Sequence, residues 1–217
     1  MGRKKSVRFE QIRLNHNVLE PEKSLFNEIK GNWNDKFFKN KVPIILEIGC
    51  GKGEYTIGLA KLFPEKNFIG IDIKGDRIAV GSNEAVENNL TNVGFLRTKV
   101  HDLMNFFAEN EVSEIWITFP DPQPLASGIR KRLTNERFLE MYKYILNPSG
   151  VLHLKTDSEL LFNYSLKTLG VFGTKNLVFT EDLYQSELND RHFGIKTRFE
   201  EIFTKKGFLI NYLSCEF

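Results

Sequence analysis

The chain has 217 residues, of which 41% are hydrophobic and 27% charged, with a formal net charge of +2. That length supports one domain with a sizeable core, and the near-neutral balance means that a nucleic-acid partner must be argued from a local basic patch. No apolar run approaches the roughly 20 residues of a membrane span, the basic N-terminus leads into no apolar signal region, and Cys50 and Cys215 make neither a disulfide framework nor a metal-ligand spacing, so a reducing cytoplasm is the expected compartment.

Residues 1–13 carry Arg3, Lys4, Lys5, Arg8 and Arg13 against one acid, Glu10. They read as a solvated tail or as a basic arm that touches phosphate. Residues 1–20 are therefore set apart as a basic, flexible N-terminal arm, and residues 21–217 as the domain. The segment 21–31 has Pro21 near its start and Gly31 past its end, the punctuation of a short helix. From residue 43 strand and helix patterns alternate. Strands are predicted at 43–48, 67–72, 93–97, 113–119 and 150–156, and helices at 54–63, 75–89, 102–109, 135–146 and 158–169. Two further strands, 175–180 and 208–214, flank a helix over about 198–206 that stops at Gly207. The βαβ rhythm implies an α/β, Rossmann-like fold. Its sheet is expected to be mostly parallel and seven-stranded, with a C-terminal antiparallel hairpin.

The first strand runs into Gly49-Cys50-Gly51-Lys52-Gly53. A strand that ends in three glycines makes room for a ligand close to its backbone. The spacing is neither that of a dinucleotide fold nor that of a P-loop. Glu47, inside the strand, must face a ligand or a partner, because burying a lone carboxylate is costly. Asp72 ends the next strand, where an acid can accept hydrogen bonds from ribose hydroxyls. Asp102, after the third strand, could meet an adenine amino group. Acids beside the loop repel a pyrophosphate and favour a cationic ligand. S-adenosylmethionine, with its sulfonium, ammonium and ribose, fits these residues better than a dinucleotide. The fourth strand ends in Phe119-Pro120-Asp121-Pro122, which places Asp121 beyond a carboxyl end, where ligands of open α/β sheets bind.

FPDP at 119–122 is followed by Arg130-Lys131-Arg132-Leu133-Thr134, then Lys155-Thr156-Asp157, then Thr197-Arg198-Phe199-Glu200. In this order and spacing the chain resembles the bacterial tRNA (guanine-N7-)-methyltransferase family, from about Lys30 to the C-terminus. The resemblance implies a class I S-adenosylmethionine-dependent methyltransferase that methylates guanosine 46 in the tRNA variable loop and needs no metal. It implies that Glu47, Gly49, Gly51, Asp72, Asp102 and Asp121 line the cofactor site and that Asp121 is catalytic. Asp157, Thr197, Arg198, Phe199 and Glu200 would contact the guanosine, and Arg130, Lys131 and Arg132 would face RNA. tRNA is the implied partner, of a monomer or homodimer. One departure stands out: Gln123-Pro124-Leu125-Ala126-Ser127-Gly128-Ile129 replaces the family's Trp- and Lys-bearing loop, and Leu125 stands where a substrate-contacting Lys is expected.

The same residues admit plainer roles. Thr156-x-x-Glu159 and Thr197-x-x-Glu200 are capping-box patterns. The 19 phenylalanines read mainly as core, and His101, His153 and His192 as structural. Two rival functions stay open: a methyltransferase of the same fold acting on another RNA or a small molecule, and an inactive RNA- or cofactor-binding module.

Overall fold

The computed structural model describes residues 3–217, with side chains from Lys5 onward. Of the predicted basic arm, residues 1 and 2 and the side chains of Arg3 and Lys4 lie outside what is described. Most of the remainder is a helix, α1 (Arg3–Leu14), which packs along the third helix and buries Ile12. A two-residue strand, β1 (Val18–Leu19), then joins the sheet edge. The described part of this segment thus packs on the third helix and pairs with the sheet edge.

The predicted βαβ series follows as β2 (Ile44–Ile48), α2 (Glu54–Leu62), β3 (Asn67–Asp72), α3 (Gly75–Glu87), β4 (Val93–Arg97) and β5 (Val112–Thr118). It continues with α4 (Glu136–Ile145), β6 (Leu146–Thr156), α5 (Glu159–Phe172), β7 (Lys175–Thr180), α6 (Arg198–Lys205) and β8 (Asn211–Glu216). Two predicted helices are shorter and tighter than expected. The segment 21–31 holds only a 3-10 turn, Ser24–Asn27, and 102–109 is replaced by a 3-10 stretch, Val100–Asn105. The Pro21 and Gly31 punctuation was sound, but too few residues lie between them to repay helix nucleation.

The sheet has eight strands in the order β1-β4-β3-β2-β5-β6-β8-β7. Pairing is parallel from β1 to β6, while β8 runs antiparallel to both β6 and β7. The seven expected strands are all present, and the short β1 is an addition. Helices cover both faces. Strand side chains alternate, so Leu46 and Ile48 join one core layer with Trp33, Leu139 and Phe162. Ile45 faces the other layer, with Ile57, Ile78 and Phe95. Glu47 shares that second face. Among the described residues no helix is long and apolar enough to cross a membrane.

Candidate active site

β2 pairs with β3 on one side and β5 on the other. The strand order therefore reverses at β2, and such a switch point opens a crevice at the carboxyl ends. There the chain turns through Gly49, Gly51 and Gly53, with φ of 77°, 57° and 74°. Residues with a Cβ rarely adopt these left-handed conformations. A Cβ on Gly49 or Gly51 would meet nothing within 4 Å, whereas one on Gly53 would lie 2.6 Å from the Phe95 ring. The first two glycines leave open space above the loop; the third lets the loop sit on the core. Asp72 holds the loop from the end of β3. One of its oxygens accepts the Gly51 N–H at 3.0 Å and the other accepts the Lys74 N–H at 2.8 Å.

Glu47 is 3% exposed. One carboxylate oxygen accepts the Thr56 N–H at 2.8 Å and the Thr56 hydroxyl; the other accepts the Thr118 hydroxyl at 2.7 Å. These bonds favour the ionised form, but burial outweighs them and raises the carboxyl to about 7. Glu47 is a carboxyl poised between its two protonation forms near neutral pH, aimed beside the loop by threonines from α2 and β5.

Beside it lies a cavity of about 330 Å³, lined by Glu47, Gly49, Gly51, Thr118 and Phe119 together with Thr197, Arg198 and Phe199. Six predicted site residues, Glu47, Gly49, Gly51, Thr197, Arg198 and Phe199, therefore meet in one cleft. Asp102 lies elsewhere, in a second cavity of about 560 Å³ with Ile73, Thr98 and Asn105. Asp72 links the two, since it binds Gly51 of the first cavity and precedes Ile73 of the second. Pro21, Phe26 and Asn27 wall the second cavity, a contribution from the N-terminal segment that no motif announced.

Asp121 is exposed just past β5 and does not line the first cavity. Its carboxylate accepts the Gln123 N–H at 3.0 Å, closing a turn on itself. Phe119 and Gln123, on either side, have φ of 49° and 48°. Such left-handed non-glycine residues cost on the order of 1–3 kcal/mol each and gather at functional sites. Asp157, after β6, is half-buried, and burial raises its carboxyl above the usual range; it too lies outside the first cavity.

Two of the predicted contact residues are buried. Glu200 was expected to touch the guanosine, yet it is completely buried. Its carboxylate meets the Lys155 ammonium at 2.8 and 3.0 Å, and accepts the Tyr184 hydroxyl at 2.7 Å and the Thr197 N–H at 3.2 Å. With the Glu200 N–H donating to the Thr197 hydroxyl, the capping box at the start of α6 is complete. The other is Arg132, expected to face RNA and only 6% exposed. Its guanidinium donates to the Pro122 and Gln123 carbonyls at 3.1–3.3 Å and stacks 4.5 Å from the Tyr164 ring. It braces the turn that carries Asp121. Arg130 and Lys131 remain exposed.

Lys155 supports the site without lining its cavity. Completely buried, with its ammonium over the Tyr55 ring at 5.0 Å, it ties β6 to α6. The signal was available: a lysine inside the apolar run 150–156 needs a buried partner for the same reason as Glu47.

A family model described as "Putative methyltransferase" matches residues 41–211. The chain is 47% identical to the tRNA (guanine-N(7)-)-methyltransferase of Cytophaga hutchinsonii, over 100% of this chain and 99% of that protein. It is 44% identical to the protein of the same name from Bacteroides fragilis, over 98% and 85% respectively. Among solved structures, the 16S rRNA methyltransferase KamB superposes with a TM-score of 0.63 at 13% identity, covering 92% of this chain and 98% of that one. That likeness shows a shared class I methyltransferase fold and nothing finer. With close identity over its full length and a glycine-loop cleft at the switch point, the chain belongs to the tRNA (guanine-N(7)-)-methyltransferase family.

Proposed function

We propose that the chain transfers a methyl group from S-adenosylmethionine to N7 of guanosine 46 in tRNA. The observation that carries this reading is a buried carboxylate, Glu47, beneath an open glycine loop, in one cleft with Thr197, Arg198 and Phe199. The residues fit the donor. Glu47 offers an anion to its cationic end, the space above Gly49 and Gly51 admits close approach, and Asp102 in the second cavity offers an acceptor to the adenine amine. Bound S-adenosylmethionine supplies an already activated methyl group.

Guanine N7 is a free lone pair, so no proton has to leave it. The protein's task reduces to positioning and electrostatics. Guanine's opposite edge presents N1–H and an amino group, two donors that one carboxylate can accept. Asp121 is our candidate for that acceptor, with Asp157 on the neighbouring strand end as its companion. A carboxylate also stabilises the positive charge that develops on the base. A base held in tRNA tertiary structure must be exposed first, and the exposed Arg130 and Lys131, with the basic residues of the N-terminal segment, would grip the flanking phosphates. The chain would act as a monomer or homodimer in the cytoplasm.

The test is direct. The protein is incubated with labelled S-adenosylmethionine and bulk tRNA, and label is mapped by chemical cleavage at 7-methylguanosine. We expect label at guanosine 46. Label at another nucleoside overturns the target, and cofactor binding without transfer overturns the activity.

A further inference from the structure

Helix α6 is turned inside out. An amphipathic helix normally buries its apolar face, yet the one residue α6 buries is Glu200. Its apolar residues Phe199, Ile202 and Phe203 lie three and four positions apart, hence on one face; Phe199 and Ile202 line the cleft, and Phe203 is partly buried beside them. Phe199 is 54% exposed and Ile202 36%. The Lys155–Glu200 pair explains the inversion: it draws the polar side of the helix to the sheet and displays the aromatic side beside the cleft.

That face continues into the cleft and out of it. Phe119, in the cavity wall, lies nearly parallel to Phe203, with ring centres 6.5 Å apart and planes 20° apart. Phe203 lies nearly parallel to Phe199 at 6.5 Å and 21°. Phe208, 50% exposed, meets Phe203 edge-on at 5.9 Å. Cations border these rings. Arg198, Lys205 and Lys206 are exposed, and the Lys206 ammonium lies 5.9 Å from the Phe203 ring centre.

We propose that Phe119, Phe199, Phe203 and Phe208 form a stacking rail for unpaired RNA bases, with the target guanine against the inner rings and an adjacent nucleotide against the outer ones. Exposed aromatic faces interleaved with lysine and arginine are the chemistry by which proteins hold unstacked nucleic acid. The rail also offsets the altered loop. Where Leu125 replaces a charged contact, binding shifts from phosphate attraction toward base stacking. The inference rests on the proposed reading of the cleft as the guanosine site, and it adds outer residues that no motif assigned.

The test uses Phe199→Ala and Phe208→Ala, both at half-exposed positions, together with Phe199→Trp and Phe208→Trp. The readouts are KM for tRNA, the dissociation constant for S-adenosylmethionine, and fluorescence of a tRNA carrying 2-aminopurine beside the target guanosine. We expect each alanine to raise KM for tRNA by roughly 5- to 150-fold and to restore probe fluorescence that the wild-type chain quenches, and Phe208→Ala, outside the cleft, to leave cofactor binding unchanged. Tryptophan should recover wild-type behaviour. Unchanged KM and unchanged quenching in an active enzyme overturn the rail. So does a sedimentation change showing that the same rings hold two copies of the chain together. A wild-type chain that quenches the probe but transfers no methyl group overturns the proposed activity and leaves the rail standing.

Discussion

Replacing Lys155 by methionine isolates what the buried pair contributes. Both partners are completely buried, with nitrogen–oxygen distances of 2.8 and 3.0 Å. Removing one member of a buried pair strands the other charge, at a cost of about 3–5 kcal/mol. Glu200 would keep the Tyr184 hydroxyl and the Thr197 N–H, so we expect the lower end, about 3 kcal/mol. For a domain of this size that corresponds to a fall in Tm of about 6–12 °C. Urea unfolding should show a lower midpoint at unchanged slope. The double variant Lys155→Met, Glu200→Met should regain most of the loss, because no buried charge is then left alone. A single-variant loss under about 1 kcal/mol, or strict additivity in the double variant, refutes the role given to the buried pair. Glu200→Gln with wild-type stability and a sharply raised KM for tRNA would return Glu200 to the guanosine.

Four further outcomes follow from the geometry. Arg132→Ala removes a guanidinium that holds two carbonyls, so stability should fall by about 1–3 kcal/mol with the salt dependence of tRNA binding unchanged. The double variant Arg130→Ala, Lys131→Ala should instead leave stability intact and flatten the log–log salt slope by about 1–2. For Glu47, burial places the titration at about 7, above the ordinary 4.5. Between those values the unfolded chain is ionised and the empty folded cleft protonated, so this group's contribution to stability declines as pH rises through that window. A cationic donor selects the ionised form. Its dissociation constant should therefore weaken about tenfold per pH unit below 7 and level off above, while the single-turnover rate stays flat; Glu47→Gln should abolish the trend, and a trend that survives it sinks the assignment. Finally, Asp121→Ala should lower the single-turnover rate about 100-fold without unfolding the chain, and a wild-type rate would remove Asp121 from the chemistry.

The sequence exposed what depends on local pattern. The glycine loop, the acids at strand ends and the alternation of strand and helix are each written in adjacent residues. What it hid depends on direction and on distant partners. Glu200 and Arg132 carry charges that spacing alone sends outward, yet both turn inward because Lys155, Tyr184 and the Pro122–Gln123 carbonyls wait there. Apart from Phe199, expected at the guanosine, the phenylalanines read mainly as core, because aromatic residues at helical spacing usually are. Those of α6 depart from the rule, since the register of that helix is set by its buried ion pair. Likewise, α1 and β1 gain their form from α3 and β4, contacts that no window of 20 residues contains.

The most direct test of methyl transfer to guanine N7 is a tRNA with 7-deazaguanosine at position 46. That base keeps the Watson–Crick edge and its stacking surface but has carbon where the nucleophilic nitrogen stood. The modified tRNA should bind and compete with wild-type affinity and accept no labelled methyl group. Methyl transfer to it at the normal rate would contradict the proposed reaction.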